Sequence, residues 1–130
     1  MARRSSQENK VSAEIDIALS HGDVRLWRNN VGVLRDRNGR PVAYGLGSRG
    51  GKSLPGTSDK IGLRSLLVTP QMVGRRIAIF AAIEEKDLKD PSPAQLQFIA
   101  AVQSLGGLAG VAHNVEEARA ILYPEWLPAD

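Results

Sequence analysis

The stretch that most constrains the fold is residues 77–86, an apolar run that ends in Glu84, Glu85 and Lys86. An isoleucine-rich run of this length is typical of a central strand that is buried on both faces. Side chains alternate along a strand, so Glu84 and Lys86 share one face, about 7 Å apart, and Glu85 points to the other. Such charges at the mouth of a buried strand cost desolvation energy. An isolated pair of this kind is usually an ion pair at a strand end.

A second acidic residue precedes a second strand. Asp59 follows a glycine-rich turn and leads into an apolar strand predicted over residues 61–68. In an antiparallel pair the start of one strand lies beside the end of the other, which would bring Asp59 near Glu84. Two carboxylates and a backbone carbonyl suit a hard divalent cation such as magnesium. Lys86 beside that ion could hold the attacking water or stabilise charge on a phosphate, so the pattern favours metal-dependent phosphodiester cleavage.

Four motifs in this order resemble the VRR-NUC domain, a branch of the PD-(D/E)xK nuclease superfamily. They are Gly-Thr-Ser-Asp-x-Ile-Gly (56–62), Ala-Ile-Glu-x-Lys (82–86), Ser-Pro-x-Gln (92–95) and Gly-Gly-x-Ala-Gly-Val (106–111). The resemblance extends over residues 14–118. It implies a restriction-endonuclease-like core and DNA cleavage that depends on magnesium or manganese. The metal ligands would be Asp59, Glu84 and the backbone carbonyl of Glu85, with Lys86 orienting the water.

A helix is predicted after Ser12, which has the character of an N-cap, and Gly22 closes it. Glu14 lies in its first turn, where a glutamate ordinarily complements the helix dipole. The resemblance implies instead that an acidic residue of this helix reaches the metal site, as an outer ligand. Both interpretations of Glu14 stay open.

A second helix is predicted to begin with Ser92 as N-cap and Pro93 at its first position. Gln95 then falls in the first turn, close to where Lys86 leaves the strand. A glutamine there is usually a surface residue. The resemblance implies that it orients the catalytic lysine or the water.

Several polar residues are predicted to contact DNA. A short strand, Val24–Arg28, leads into an Arg-Asn-Asn element, and Asn38-Gly39 predicts a hairpin turn with positive backbone angles. A glycine-rich loop over residues 45–56 is basic and does not match a phosphate-binding P-loop. The residues assigned to DNA contact are Arg28, Asn29, Asn30, Arg35, Arg37, Arg49, Lys52 and Lys60.

Glycine and asparagine residues mark the last elements of the chain. Gly106 and Gly107 end the second helix, a last strand is predicted over Leu108–Ala112, and Asn114 caps a last helix, Val115–Leu122. His113 is interpreted as a capping or surface group.

Length and composition limit the number of domains, the possible partners and the possible metal sites. The 130 residues suit one domain over residues 11–123, with a flexible basic tail at 1–10 and a C-terminal tail at 124–130. Seventeen Lys and Arg against 14 Asp and Glu give a net charge of +3, compatible with a polyanionic partner. Zero cysteines exclude disulfides and thiolate metal sites. The chain shows no signal peptide or membrane-spanning run, which predicts a cytoplasmic protein. The resemblance implies a bacterial or phage-infected cell.

The sequence therefore predicts an α/β fold with a mixed, mostly antiparallel sheet flanked by helices. The expected function is metal-dependent DNA endonuclease activity, structure-specific on branched DNA such as four-way junctions or flaps, by a homodimer. Two alternatives stay open. One is a non-catalytic DNA-binding module that retains the fold, and the other is a sequence-specific restriction-type endonuclease.

Overall fold

The computed structural model describes residues 6–47 and 56–128. It has mixed α/β secondary structure, which confirms the predicted class. Where the sequence analysis expects one domain, the chain divides into two units, Met1–Arg64 and Ser65–Asp130, and each is described by itself. None of the helices within the described ranges is long and apolar enough to cross a membrane.

The first unit is built from one helix and two antiparallel strand pairs. Its elements are α1 (Ser6–Leu19), β1 (Val24–Arg28), β2 (Gly32–Arg35), β3 (Pro41–Tyr44) and β4 (Lys60–Arg64). Strand β1 pairs with β4 and places Leu26 opposite Gly62, while β2 pairs with β3. A Cβ atom at Gly62 would collide with the carbonyl oxygen of Arg25 on the paired strand. The β1–β4 ladder therefore requires glycine at this position.

Helix α1 begins earlier than predicted. It starts at Ser6, so residues 6–10 are helical rather than part of a flexible tail, and Ser12 lies buried inside the helix rather than at its cap. The residues of this added turn explain why the helix extends to Ser6. The added turn contains Gln, Glu and Lys, which are good helix formers, and Glu8 in the first turn complements the dipole. Apolar periodicity cannot detect a turn that carries no apolar residue.

The hairpin between β2 and β3 is confirmed, but its turn differs from the predicted one. Gly39 has a φ of 77°, whereas Asn38 has no positive φ. The carboxylate of Asp36 accepts hydrogen bonds from the N–H groups of Asn38 (2.8 Å) and Arg40 (2.9 Å). Glycine alone therefore supplies the left-handed residue, and Asp36 holds the loop closed.

The second unit is a β-α-β unit followed by a helix. Its elements are β5 (Ala81–Glu85), α2 (Pro93–Ser104), β6 (Leu108–Ala112) and α3 (Val115–Leu122). Strands β5 and β6 are parallel, and α2 connects them. The core consists of Ile99, Val102 and Ala109, against which Phe80 and Val111 pack. The predicted positions of α2, β6 and α3 are confirmed.

The two long strands of the sequence analysis are shorter than predicted, and their partners differ. Strand β5 starts at Ala81, and residues 77–80 before it are irregular. Strand β4 ends at Arg64 rather than at residue 68. In the described ladders β4 pairs with β1 and β5 with β6, so the expected antiparallel β4–β5 pair is not among them. The length of β5 is set by its partner, because β6 has only five residues after the glycines that end α2.

Candidate functional site

Three predicted residues of the second unit meet at the end of β5. The carboxylate oxygen Oε1 of Glu84 accepts a hydrogen bond from Nε2 of Gln95 at 2.7 Å. The same oxygen lies 3.4 Å from Nζ of Lys86. The side chains of Lys86 and Glu84 are 21% and 29% exposed, so both charged groups are partly buried and still reach solvent. We call Glu84, Lys86 and Gln95 the β5 site.

The N-terminus of α2 positions Gln95. The backbone N–H of Gln95 donates to Oγ of Ser92 at 3.1 Å, and the N–H of Ser92 donates to Oε1 of Gln95 at 2.8 Å. This reciprocal capping box, with Pro93 at the first helical position, matches the predicted start of the helix. Both ends of the Gln95 amide are in use, one on the cap and one on Glu84. Its contact is with Glu84, whereas the resemblance implied Lys86 or the water.

The parallel strands position the other two residues. Glu84 lies opposite Val111 in the ladder, and the N–H of Lys86 donates to the carbonyl of Ala112 at 3.1 Å. The β5 site therefore lies at the carboxyl ends of two parallel strands, where α/β proteins generally bind ligands. Glu84 and Gln95 line one side of a pocket of about 350 Å³ whose remaining wall is apolar and includes Phe98.

Glu85 lies on the other face of β5, as alternation predicts. It is exposed and lines a second pocket, of about 500 Å³, together with Lys86, Asp87 and His113. The exposed His113 contacts Glu117, with 2.8 Å between Nδ1 and Oε2, and its backbone N–H donates to the same oxygen at 2.7 Å. These bonds, the backbone one first, hold the pKa of Glu117 below its usual value of 4.5. This fits the interpretation of His113 as a capping or surface group.

In the first unit Asp59 shares a pocket with an acidic residue that the sequence analysis missed. The pocket, of about 460 Å³, is lined by Glu8, Ser12, Asp59 and Lys60, among others. Glu14 does not line it. Its side chain is exposed and lies 4.0 Å from Nζ of Lys10.

A signal for Glu8 exists in the sequence. Glu8, Val11, Ser12 and Ile15 are spaced i, i+3, i+4 and i+7, which places them on one face of a helix. A helix predicted to begin at Ser12 excludes Glu8 and has Glu14 as the acidic residue of its first turn.

Two of the residues predicted to contact DNA make contacts within the protein. Asn29 is buried, its Nδ2 donates to the carbonyl of Ser58 at 2.9 Å, and its Oδ1 accepts from the N–H of Leu46 at 2.9 Å. Lys60 lies 2.8 Å from Asp16, and its side chain is only 15% exposed. These contacts engage both side chains within the protein, and their contact with DNA stays a prediction.

The remaining DNA candidates divide into two groups. The exposed ones are Arg28, Asn30, Arg35 and Arg37. Among them, Arg35 donates from its guanidinium to the carbonyl of Gly39 at 2.7 Å, across the hairpin turn. Arg49 and Lys52 lie outside the described residues.

The metal ligands predicted from sequence come from both units. Asp59 belongs to the first unit and Glu84 to the second, and a site that they share stays a prediction. Within residues 6–47 and 56–128, no group of three or more histidine, aspartate or glutamate residues is arranged to hold a metal ion. Comparison of the chain with family models, with curated proteins and with solved structures found no match.

Proposed function

We propose that this chain is a metal-dependent DNA endonuclease with a restriction-endonuclease-like core, as its resemblance to VRR-NUC domains implies. The observation that carries the proposal is the β5 site. The motifs single out three residues: Glu84 in β5, Lys86 directly after that strand, and Gln95 in α2. The side chains of Lys86 and Gln95 both contact one carboxylate oxygen of Glu84. A structural strand end needs a counter-ion for Glu84, but it needs no glutamine that is also fixed by a helix cap.

The contacts around Glu84 suit a metal ligand. Gln95 and Lys86 both contact Oε1, which leaves Oε2 for a cation. Magnesium or manganese bound there would activate water and stabilise charge that develops on the phosphate. Gln95 fixes the carboxylate orientation, and Lys86 supplies a positive charge beside the reacting groups. We assign Asp59 and the backbone carbonyl of Glu85 as further ligands, on the basis of the motif order.

For the acidic residue of α1 we propose Glu8 in place of Glu14. Glu8 shares a pocket with Asp59, whereas Glu14 is exposed and pairs with Lys10. The two glutamates form a matched pair on one helix. We expect Glu8→Gln to weaken manganese binding and Glu14→Gln to leave it unchanged, as measured by calorimetric titration. Equal affinities in the two variants would remove Glu8 from the site.

The main test separates metal binding from chemistry. Cleavage of labelled DNA should require magnesium or manganese and stop with EDTA. Lys86→Ala should abolish cleavage and retain manganese affinity, because Lys86 acts on the water or the phosphate. Asp59→Asn should weaken manganese binding itself, because it removes a ligand charge.

The control is Arg64→Ala, an exposed residue at the end of β4 that has no assigned role. It should keep both cleavage and affinity. Cleavage that persists in excess chelator would refute metal dependence. Identical manganese affinities for Lys86→Ala and Asp59→Asn would refute the separate roles.

We further propose that the substrate is branched DNA and that the enzyme acts as a homodimer, since a two-fold dimer matches the two equivalent strands of a junction. Light scattering at micromolar concentration should give the dimer mass. A panel of four-way junction, flap, single-stranded and duplex DNA should show preferential cutting of a branched substrate. A monomer, or equal cutting of duplex and junction, would contradict this part of the proposal and leave metal dependence standing.

One observation favours a second function, a non-catalytic DNA-binding module. The 3.4 Å separation of Lys86 and Glu84 is that of an ordinary ion pair, which can close a strand end without any chemistry. In that case DNA would bind with equal affinity to the wild type and to Lys86→Ala, with no cleavage by either. The cleavage assay with magnesium therefore decides between the two functions.

A further inference from the structure

The β2–β3 hairpin is an excursion from the strand ladder of the first unit. Strand β1 pairs directly with β4, and the hairpin lies in the chain between them. Among the described residues of this unit, β2 and β3 pair only with each other, and no helix or other strand packs against them. Every residue from 33 to 42 is exposed. An isolated two-stranded hairpin is only marginally stable in water, so this one gains from a binding partner.

One face of the hairpin is apolar. Leu34 lies opposite Val42 in the ladder, so their side chains share a face, and they are 64% and 50% exposed. Tyr44 belongs to the same face and lies opposite Gly32. A Cβ atom at Gly32 would collide with the hydroxyl of Tyr44, so the ring covers the glycine. The hairpin therefore presents a leucine and a valine to solvent beyond a tyrosine that packs at its base.

The turn at the tip of the hairpin is basic. Arg35, Arg37 and Arg40 lie in or beside it and are exposed. The carboxylate of Asp36 accepts two N–H groups of the turn, and the guanidinium of Arg35 donates to the carbonyl of Gly39 at 2.7 Å. An apolar face beside three arginines suits a ligand with both negative charge and a flat apolar surface. DNA offers both, in its phosphates and in the faces of its bases.

The base of the hairpin is fixed beside Asp59. The N–H of Asn29 donates to the carbonyl of Asp59 at 2.8 Å, and its side chain binds the backbone of Ser58 and Leu46. The excursion thus leaves and rejoins the ladder next to a predicted metal ligand. Leu34 is five residues along the chain from Asn29. That distance is at most about 17 Å, or about five nucleotide steps along a DNA strand.

We propose that the β2–β3 hairpin is a wedge that recognises the branch point of branched DNA. Leu34 and Val42 stack on the last base pair of a duplex, where its two strands diverge, and Arg37 and Arg40 bind the diverging phosphates. This inference rests on the proposed function and names the part of the substrate that the protein recognises. Apolar side chains of this kind stack on bases wherever a neighbouring base has been removed from the stack.

The chemistry of the apolar face favours a branch point over an intact groove. A strand pair that reads a groove uses polar side chains, because the base edges are mostly hydrogen-bond donors and acceptors. Leu34 and Val42 provide neither. In an intact duplex the base faces are covered by their neighbours, whereas a branch point leaves one face open. Because the hairpin is fixed beside Asp59, we expect cutting within about five nucleotides of the branch.

Binding measured without cleavage tests the wedge. Fluorescence anisotropy in EDTA gives the affinity for a labelled four-way junction and for a duplex of equal length. Leu34→Ser should lower the junction affinity at least about fivefold and leave the duplex affinity unchanged, since the apolar contact exists only at the branch. Val33→Ser is the matched control and should change neither affinity, because Val33 is 48% exposed on the opposite face of the same strand. Arg37→Ala should lower both affinities, because phosphates are common to both DNAs.

Two further measurements locate the contact and check the fold of the variant. Leu34→Phe should retain the junction affinity, since an aromatic ring also stacks on a base, and this separates a lost contact from a damaged hairpin. The fluorescent base 2-aminopurine, placed in the base pair at the branch, should brighten when the wild type binds. Its fluorescence rises when it loses a stacked neighbour, and Leu34→Ser should abolish that rise.

Several results would overturn the inference. They are an unchanged junction affinity in Leu34→Ser, equal losses for junction and duplex, equal losses in Leu34→Ser and Val33→Ser, and a wild type that binds the junction no more tightly than the duplex. A change from dimer to monomer in Leu34→Ser, seen by light scattering, would also overturn it, because a second copy would then cover this face. A lack of cleavage in magnesium, with the expected affinities intact, would instead refute the nuclease function and leave the wedge standing.

Discussion

The two units of this chain are held together by different interactions. In the described part of the second unit the buried residues are apolar and lie in α2 and β6: Ile99, Val102, Leu108, Ala109 and Ala112. In the described part of the first unit the buried residues are polar, Ser12 and Asn29. The second unit therefore relies on the burial of apolar area, and the first relies on its strand ladders and on side-chain hydrogen bonds to the backbone.

This difference affects the candidate residues directly. Glu84 and Gln95 extend from elements that pack on an apolar core, and their mutual contact is 2.7 Å. Asp59 follows a loop that Asn29 holds through Ser58. A residue on a packed strand keeps its position through many contacts, whereas a residue in such a loop depends on a few hydrogen bonds. We expect the β5 site to be more rigid than the loop that precedes Asp59.

The largest effect on stability should come from the core of the second unit. Val102 is 1% exposed, and Val102→Ala should lower the free energy of unfolding by about 2 kcal/mol, since it removes two buried methyl groups and leaves a cavity. Denaturant unfolding measures the change. Val115→Ala, at a position in α3 that is 69% exposed, is the control and should change little. Equal losses would show that burial around β6 does not stabilise the unit.

A smaller loss is expected from the polar interior of the first unit. Asn29→Ala leaves the N–H of Leu46 and the carbonyl of Ser58 without their partner, which should cost about 1–2 kcal/mol. The neighbouring Asn30 is exposed, so Asn30→Ala is the matched control. Denaturant unfolding again gives the comparison. No loss for Asn29→Ala would mean that ladders alone hold the first unit.

A smaller contribution to the free energy of unfolding is expected from Glu117 in α3, and this contribution should depend on pH. The hydrogen bonds from His113 hold the pKa of Glu117 below 4.5, its value when unfolded. The folded state thus favours the carboxylate, so this contribution is complete above pH 4.5 and is lost as pH falls through the folded pKa. Unfolding curves recorded at a series of acidic pH values should show a shallower loss of stability for Glu117→Gln than for the wild type. Parallel curves would contradict the role of Glu117.

The smallest effect is expected at the exposed pair on α1. Lys10 and Glu14 are 4.0 Å apart and mostly in solvent, so Glu14→Ala should change the free energy of unfolding by no more than about 0.5 kcal/mol. Thermal unfolding with and without high salt checks this. A larger, salt-insensitive loss would indicate that Glu14 takes part in a buried network.

Local signals in the sequence predicted the second unit well. Ser92 and Pro93 mark the start of α2, the glycines after residue 105 mark its end, and Asn114 caps α3. Gln95 could be placed near Lys86 because both lie next to such boundaries. These features depend on a few neighbouring residues, which a sequence displays directly.

Features that depend on distant partners were predicted less well. The start of β5 is fixed by the length of β6, and β4 pairs with β1 because Gly62 permits a close approach to Arg25. The first constraint lies outside β5, and the second depends on which residue faces Gly62, which the sequence of β4 alone does not show. The structural role of Asn29 also depends on residues 17 and 29 positions away, and a polar residue beside an arginine gives no sign of burial.

The side-chain amide of Gln95 makes two hydrogen bonds, and these couple the start of α2 to the orientation of Glu84. One end of the amide completes the cap of α2, and the other holds Glu84. When the first turn of α2 frays, Glu84 loses its support in the same step, so the opening of the helix and the loss of the carboxylate orientation are one motion. Glutamate at position 95 could preserve the cap but would place a second negative charge against Glu84. Glutamate at this position therefore disturbs Glu84 and spares the helix start, whereas Gln95→Ala removes the support of Glu84 and the cap of α2 together.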